Sequence, residues 1–438
     1  MAVSADTWIT LPSQWKAAFA SAVVVSLALP AIALASPPEM RWPQWGGPQG
    51  DFHVNATRLA SQWPEEGPPR LWTRPLGNGY SAIVGDAGRL YTMYRQGDEE
   101  IVIALQADTG RTLWEHHYEA KPYATQTGEY GHGPGATPLM LGEQLITVGF
   151  TGIMHCLDTE TGSIIWSRDL ITDFRAKAPY YGYANSPLAY RGMVIAPVGG
   201  EDAGVVALNA ADGLAVWKSK PCEISYAAPT LINVDGQDQI VFFTPDQVIG
   251  ISAREGSSLW SHQVVDFCKT NCTSAVWGPD NLLWAATKGV GGARVLRLAQ
   301  SDGVTNVEQV WLDRKIRVHH WNAVRVGDFI YTSSGDARRV FSVIDVKTGK
   351  VVVERSGYGS TNGIYADGKL ILLDDNGQLI LARVSPGDIE VVSSVQLLEF
   401  PAWTAPTLVG TRLYVRDRRN IVALDLSRDG VERVSQEK

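Results

Sequence analysis

The segment ALQADTGRTLW (Ala104–Trp114) decides the fold, because its layout returns along the chain. Each copy has an apolar start, a turn that ends in glycine, and a tryptophan four residues after that glycine. Further copies are CLDTETGSIIW (Cys156–Trp166), ALNAADGLAVW (Ala207–Trp217) and GISAREGSSLW (Gly250–Trp260), and VIDVKTGKVVV (Val343–Val353) has Val in place of Trp. The turn glycines Gly110, Gly162, Gly213 and Gly256 lie 52, 51 and 43 residues apart. Periods of this length indicate a solenoid or a propeller.

A second series of turns supports the first, because an earlier hairpin lies within each unit. Its turn glycines are Gly88, Gly142, Gly192, Gly236, Gly327, Gly368 and Gly410. Glycine supplies the positive φ that tight hairpins need. The apolar residues alternate with a period of two, as in strands, and no helical periodicity appears after residue 60. The sequence therefore predicts an all-β, eight-bladed propeller of four-stranded antiparallel blades.

The ends of the chain indicate how the ring closes. The eighth unit ends at NIVALDLS with only three strands, and its missing outer strand has a counterpart in RLWTRPL (Arg70–Leu76) near the N-terminus. We therefore expect the N-terminal segment to complete the last blade, which leaves no open seam. The motif tryptophans would then lie on outer strands and pack at blade junctions: Trp72, Trp114, Trp166, Trp217, Trp260 and Trp311.

The N-terminal segment of the chain has the pattern of an export signal. Lys16 precedes an apolar run from Ala17 to Ala35, which ends in the small-x-small pattern Ala33-Leu34-Ala35. The alternative is an uncleaved anchor, since the run is long enough to span a bilayer. We predict a signal peptide at 1–35, an N-terminal arm at 36–70, one propeller at 71–427 and a tail at 428–438. The mature protein would be a periplasmic or extracellular monomer without a membrane span.

Charge and cysteines exclude some classes of function. The 438 residues have a formal net charge of -8 and contain no cluster of Lys and Arg, so we expect no nucleic-acid partner. Of the four cysteines, Cys156 falls in a strand, and Cys268 and Cys272 are close enough in sequence to pair in an exported chain. No second pair or nearby His completes a zinc set, so no metal site is predicted.

The loops that lead into the inner strands concentrate aromatic and polar residues on one face of the predicted ring. Loops placed by a rigid scaffold often carry function. His320 and Asn322 are expected to face the channel, and the adjacent His319 and His320 to point to opposite faces of a strand. The rim would bind a planar or glycan-like ligand or a peptide, or it would simply fill the axis with side chains and water. The candidate binding residues are Tyr80, Tyr130, His132, Tyr183, Asn185, His320, Trp321, Asn322 and Trp403.

The repeats ALQADTGRTLW, CLDTETGSIIW and ALNAADGLAVW resemble the tryptophan-docking motif of the PQQ-like propeller superfamily, where PQQ is pyrroloquinoline quinone. The resemblance extends over about residues 40–427, and RWPQWGGP (Arg41–Pro48) is similar to the start of many exported propellers of this type. The superfamily includes eight-bladed quinoprotein alcohol dehydrogenases and the non-catalytic lipoproteins of outer-membrane assembly. Its motifs are specific for the fold and say little about function.

The sequence departs from both well-known branches. Catalytic quinoproteins carry two adjacent cysteines against the quinone, and this chain has no consecutive pair; no C-x-x-C-H for a c-type haem occurs either. The assembly lipoproteins carry a lipid-anchored cysteine, which the chain also lacks near the predicted cleavage point. These departures favour a non-catalytic binding or scaffold module with a protein or small-molecule ligand at the channel. The alternatives are a quinoprotein oxidoreductase for an alcohol or sugar, with PQQ and calcium, and a polysaccharide-processing enzyme suggested by the aromatic rim alone.

Overall fold

Each repeat unit folds as hairpins that form one four-stranded antiparallel sheet, and eight such sheets follow one another along the chain. The computed structural model describes residues 40–123, 131–265, 269–334 and 339–436. They belong to the unit Ser36–Lys438, while the predicted signal peptide lies outside the described residues. The prediction of an all-β, eight-bladed propeller is confirmed.

Three strands precede the first full blade: β1 (Arg41–Trp42), β2 (His53–Val54) and β3 (Arg70–Pro75). Blades I to IV, in chain order, contain β4 (Val84–Asp86), β5 (Arg89–Gln96), β6 (Glu99–Gln106), β7 (Thr112–Glu119); β8 (Leu139–Leu141), β9 (Gln144–Val148), β10 (Ile153–Asp158), β11 (Ile164–Asp169); β12 (Leu188–Tyr190), β13 (Met193–Pro197), β14 (Val205–Asn209), β15 (Ala215–Lys218); and β16 (Thr230–Val234), β17 (Gln237–Phe243), β18 (Gln247–Ser252), β19 (Ser258–Gln263). A short helix α1 (Leu170–Phe174) follows blade II.

Blades V to VIII contain β20 (Val276–Trp277), β21 (Leu282–Ala286), β22 (Ala293–Ser301), β23 (Val304–Asp313); β24 (Val324–Val326), β25 (Phe329–Ser333), β26 (Phe341–Asp345), β27 (Val351–Arg355); β28 (Thr361–Ala366), β29 (Lys369–Asp374), β30 (Gln378–Ser385), β31 (Asp388–Gln396); and β32 (Thr407–Val409), β33 (Arg412–Arg416), β34 (Asn420–Asp425). Helix α2 (Arg428–Gln436) follows the last blade. The first strand of each blade is the inner one, and inner strands of neighbouring blades contact one another around the axis.

The motif tryptophans join one blade to the next, as predicted. Trp72 lies over Gly110 of blade I, and a Cβ on that glycine would come within 2.7 Å of the indole ring. Trp114 lies over Gly162 of blade II in the same way, and a Cβ on Gly162 would come within 2.6 Å of the Trp114 ring. The glycines have φ near +70°, so these positions need glycine both for the turn and for the flat approach of the ring. The motif therefore holds adjacent blades together rather than a ligand.

The ring closes as the sequence indicated. β3 pairs with β34, so a strand from the N-terminal part of the chain forms the outer edge of blade VIII. Trp72 on this strand then makes the same junction contact with blade I as its counterparts make elsewhere, with its Nε1 donating to the carbonyl of Ala107 at 2.9 Å. Blade VIII therefore combines a strand from the N-terminal part of the chain with three from the C-terminal part, so the ring closes without a missing strand.

The sequence did not indicate where the residues before β3 would lie. β1 pairs with inner strand β4 of blade I, and β2 pairs in parallel with inner strand β28 of blade VII. The partners Asp86 and Tyr365 lie at the ends of these inner strands, next to the turn into the second strand. Residues 40–54, which we call the plug, therefore cross the axis at the end of the channel where the inner strands finish.

Aromatic packing holds the plug in place. Trp42 is 1% exposed, and the Trp45 and Phe52 rings meet edge to face with their centroids 5.2 Å apart. Trp45 Nε1 also donates to Ser274 Oγ, at the start of blade V, at 3.2 Å. We call this end of the ring the turn face. The opposite end, the loop face, is formed by the interblade loops, which connect each outer strand to the next inner strand.

Candidate functional site

Four of the predicted site residues meet in one aromatic cluster at the loop face. Tyr80 stacks on Trp403 with ring centroids 5.3 Å apart and an angle of 21° between the planes. Trp403 contacts His320 at 4.7 Å, and His320 contacts Trp321 at 4.1 Å. These side chains come from the interblade loops that enter blades I, VIII and VI. We call Tyr80, His320, Trp321 and Trp403 the aromatic cluster.

Exposure divides the aromatic cluster into a surface part and a core part. Tyr80 and Trp403 are half-buried, while Trp321 is only 4% exposed and packs in the core between blades V and VI. Phe400 extends the surface part: it is 59% exposed, and its ring lies edge-on to Trp403 at 6.3 Å. Tyr80 and Trp403 of the aromatic cluster, together with Phe400, are therefore accessible at the surface, and Trp321 supports them from the core.

The histidine pair differs from its sequence-based prediction. Residues 314–323 precede strand β24, so His319 and His320 do not alternate as strand residues do. Their rings face each other, with the two Nδ1 atoms 2.9 Å apart. Burial, His319 and nearby Lys288 hold the pKa of His320 well below its ordinary value. His320 Nε2 is buried without a hydrogen-bond partner, so this imidazole is neutral.

Three predicted site residues fill structural roles. Tyr183 is fully buried, and its hydroxyl donates to the carbonyl of Val198 at 2.9 Å. Asn185 Nδ2 donates to two carbonyls of the next interblade loop, at 2.9 and 2.8 Å. Asn322 joins blades VI and VII, because its Nδ2 donates to the Gly363 carbonyl at 2.7 Å and its Oδ1 accepts from the Gly363 amide at 2.7 Å. A ligand role for these residues stays a prediction.

The remaining two candidates belong to the loop that enters blade II. His132 is half-buried, and its ring meets Phe150 edge-on at 5.7 Å. Its backbone carbonyl accepts from Arg95 Nε at 2.8 Å. Tyr130 lies outside the described residues. The structure thus places His132 against blade II, and a ligand role for it stays a prediction.

Two tyrosines that follow helix α1 add to the loop face. Tyr180 and Tyr181 are 51% and 54% exposed, with their rings edge to face at 4.8 Å. The Tyr181 backbone amide donates to the Tyr226 hydroxyl at 3.2 Å, which ties this loop to the one entering blade IV. Large exposed aromatic side chains are costly in water and typical of interfaces.

A buried charged pair, which the sequence pattern did not reveal, lies at the junction of blades I and II. Glu100 is fully buried, and it accepts from Arg95 Nη2 at 3.0 Å, from the Tyr118 hydroxyl at 2.7 Å and from the Phe150 amide at 3.1 Å. Burial raises the pKa of Glu100, and these three donors lower it. The signal was present in the alternation along β7, which places Tyr118 on the same face as Trp114.

Two imidazoles fill the rest of this junction. His116 and His155 meet edge to face at 4.9 Å, and His155 also contacts the Tyr118 ring at 4.6 Å. Burial and the neighbouring His116 lower the pKa of His155 to about 4, and burial also lowers the pKa of His116. His116 Nε2 and His155 Nδ1 are both buried without hydrogen-bond partners. Both rings are therefore neutral near pH 7, and they act as packing groups.

The described residues contain no group of three or more His, Cys, Asp or Glu side chains arranged to hold a metal ion. They also contain no helix long and apolar enough to cross a membrane. Cys272 is a free cysteine whose thiol donates to the Thr270 carbonyl at 3.4 Å. Its suggested partner Cys268 lies outside the described residues, and their pairing stays a prediction.

Comparisons with known proteins agree with this geometry. A family profile described as outer membrane protein assembly factor BamB matches residues 97–277. BamB of Yersinia pestis is 24% identical over 301 residues, which cover 64% of this chain and 71% of that protein. The crystal structure of BamB from Moraxella catarrhalis aligns with a TM-score of 0.56 at 16% identity, over 81% of this chain and 97% of that one. The profile matches less than half of the chain, and these comparisons make the chain similar to proteins of the PQQ-like β-propeller family.

A catalytic enzyme shares the fold of this PQQ-like propeller. Quinohemoprotein alcohol dehydrogenase from Comamonas testosteroni aligns with a TM-score of 0.61 at 10% identity, over 89% of this chain and 81% of that one. At this identity the likeness shows the fold alone.

The described residues of the PQQ-like propeller do not fit a quinone site of the catalytic kind. The chain has no consecutive cysteines to lie against a quinone. Tyr80 and Trp403 stack directly on each other, so no gap for a planar group remains between the two rings.

Proposed function

We propose that this PQQ-like propeller is an exported, non-catalytic binding or scaffold module that holds a protein partner at its loop face. The observation that carries the proposal is the exposure of Tyr180, Tyr181 and Phe400 on the same face as the Tyr80–Trp403 stack. Aromatic side chains that remain exposed beside a supported, half-buried cluster have the composition of protein interfaces.

Two further observations support the loop face over the turn face. The plug pairs with inner strands at the turn face, whereas the described residues place no such segment over the aromatic cluster at the loop face. The relatives named as assembly factors are also consistent with a module that contacts other proteins. Export rests on the apolar segment Ala17–Ala35 and belongs to the proposal, as does the periplasmic or extracellular location.

Site-specific photocrosslinking in cells of the source organism tests this function. A benzophenone amino acid would replace Tyr181 or Phe400 at the loop face, and Val304 at the tip of a turn-face hairpin as the control. Val304 is 58% exposed, almost the same as Phe400 at 59%, so the two positions are matched in accessibility. We expect an adduct of one size from both loop-face positions and none from Val304. Equal adducts from all three positions, or none from the loop face, would contradict the proposal.

The oxidoreductase alternative has its own readout on the purified protein. PQQ and Ca²⁺ would be added together, and absorbance and alcohol-dependent dye reduction recorded. A new absorbance band with dye reduction would overturn the non-catalytic function. We expect neither, because the chain lacks the adjacent cysteines that lie against the quinone in catalytic quinoproteins.

A further inference from the structure

A cleft of about 500 Å³ lies at the junction of blades III and IV, between the interblade loop 219–223 and the side of blade IV. Its base is apolar: Ile249 on strand β18 is partly exposed, while Phe242 and Ile251 on strands β17 and β18 are each only 2% exposed. Ser258 and Ser261 of the outer strand β19 line its outer side. The volume falls within the range of small-ligand pockets, which are mostly apolar with a few polar groups. None of these residues belongs to the aromatic cluster.

The sequence explains why this junction is open. The residues two and four positions after a docking tryptophan face the next blade, because strand side chains alternate. At the junction of blades I and II these are His116 and Tyr118, which fill the space against His155. The equivalent positions after Trp217 are Ser219 and Pro221.

Ser219 leaves the space empty for a specific reason. Its Oγ accepts from the Val205 amide at 2.8 Å and donates to the Lys220 carbonyl at 3.0 Å. Both bonds hold the short side chain against its own blade and loop. The wedge between blades III and IV therefore lacks the side chains that fill the first junction.

The docking tryptophan at this junction is also unlike its counterparts. Trp217 is 8% exposed, and its Nε1 has no hydrogen-bond partner. The other five motif tryptophans all donate a hydrogen bond from Nε1. Four of them donate to a turn carbonyl of the next blade: Trp72 to Ala107 at 2.9 Å, Trp114 to Thr159 at 3.0 Å, Trp166 to Ala210 at 2.8 Å and Trp311 to Val346 at 2.8 Å. The fifth, Trp260, donates to the side chain of Gln239 at 2.7 Å. No indole hydrogen bond from Trp217 therefore crosses the junction of blades III and IV.

The rim of the cleft restricts what it would bind. Lys220 and Lys269 line it together with Glu223 and Asp246, so both charge signs are present in equal number. A purely anionic or cationic head group would meet two like charges. A peptide backbone carries both donors and acceptors without net charge, and it suits a rim of mixed sign.

We infer that the cleft binds a peptide-like ligand, which places an apolar side chain against the partly exposed Ile249 and its polar backbone at the charged rim. The ligand is either a free apolar amino acid or a segment of a polypeptide. The two share the side-chain contact and differ in the charge of the backbone ends. Trp217 packs in one core cluster with Phe242, Ile249 and Ile251, so we use its indole N–H as the reporter of a ligand in the cleft.

The test is an NMR titration of protein labelled with ¹⁵N at tryptophan. The probes are N-acetyl-L-phenylalaninamide, free L-phenylalanine and, as a control without a side chain, N-acetylglycinamide. We expect a saturable shift of the Trp217 indole signal with the first probe, with a dissociation constant of about 1 mM, as is typical for a ligand of about 15 non-hydrogen atoms. Tighter binding of the blocked amide than of the free amino acid identifies a polypeptide segment as the source, and the reverse identifies a free amino acid.

Matched variants keep the test decisive. Ser261→Tyr fills the cleft from its exposed side, and Ser167→Tyr makes the same change one residue after Trp166 on blade II. We expect Ser261→Tyr to abolish the shift and Ser167→Tyr to leave it unchanged, with the Trp72 and Trp166 signals unmoved throughout. An unmoved Trp217 signal, an equal shift with N-acetylglycinamide, or a shift that survives in Ser261→Tyr would overturn the inference.

Discussion

The junction between blades I and II and the junction between blades III and IV share one docking contact and differ in almost everything beside it. In both, an indole ring lies flat on a turn glycine of the next blade, Trp114 on Gly162 and Trp217 on Gly256. The first junction is then filled by two imidazoles, a phenol and a buried ion pair. The second has a serine and a proline at the equivalent positions, together with an open cleft.

The difference shows that two levels of pattern operate in the repeat. The tryptophan and the glycine set how neighbouring blades approach each other, and they recur because each junction has the same geometry. The residues that follow the tryptophan decide whether the wedge is packed, polar or open. A repeat protein can therefore keep one architecture and still build a different environment at each junction.

The largest effect is expected for Glu100→Ala at the filled junction. This change leaves the Arg95 guanidinium buried without its ionic partner, which costs about 3–5 kcal/mol of unfolding free energy. Urea unfolding measures it. Glu99→Ala is the control, because its neighbouring carboxylate is exposed and its pairing with His117 is worth at most about 1 kcal/mol. Equal losses in the two variants would show that the buried pair does not stabilise this junction.

A pH dependence of stability is expected from His155 at the same junction. Its pKa is lowered to about 4 in the folded protein, against about 6.5 when unfolded, so folding favours the neutral ring. Its contribution is complete above pH 6.5 and is lost as the pH falls from 6.5 towards 4, by up to about 3 kcal/mol.

The measurement is the urea midpoint between pH 7.5 and 4.5 for the wild type and for His155→Phe. We expect the wild type to lose more stability over this range than the variant does. Glu100 acts in the opposite direction, since its raised pKa favours the folded state at low pH, but it is present in both proteins and cancels in the comparison. Identical pH profiles would contradict the assignment to His155.

The smallest effect compares the two docking tryptophans directly. Trp114→Phe removes an indole hydrogen bond to the Thr159 carbonyl, while Trp217→Phe removes an N–H that has no acceptor. Both variants lose similar ring area, so we expect Trp114→Phe to cost about 1 kcal/mol more in unfolding free energy. Thermal and urea unfolding of the two single variants measure the difference. A larger loss of unfolding free energy in Trp217→Phe would contradict this expectation. It would mean that the Trp217 indole N–H stabilises the junction of blades III and IV although it has no acceptor there.

The fold was predictable because its signals are local and repeated. Gly110 and its counterparts specify hairpin turns, and the tryptophan four residues later recurs often enough to reveal the blade. The outer strand of blade VIII was predictable because the eighth repeat unit has only three strands of its own, and Arg70–Pro75 supplies the fourth. The plug was not predictable, because residues 40–54 have no counterpart among the repeats and pair with strands far along the chain.

The candidate site was predictable in part. Tyr80, His320, Trp321 and Trp403 converge as expected of loops on one face of a ring. The sequence could not separate Tyr80, which stays half-exposed, from Trp321, which packs in the core, because both are aromatic residues in equivalent loops. The sequence pattern also predicted His319 and His320 to lie on a strand, but strand β24 begins only at Val324.

By itself, the sequence determined the blade, the number of blades and the way the ring closes, since turn glycines, alternation and motif tryptophans act over a few residues and are counted directly. Only the tertiary structure decided which interblade side chains meet, where the plug lies and which junction stays open. Those outcomes depend on contacts between residues that are distant in the chain. Ser219 shows the reason. Its short side chain accepts a hydrogen bond from the Val205 amide of its own blade, and the cleft beside it exists only because blade IV lies where it does.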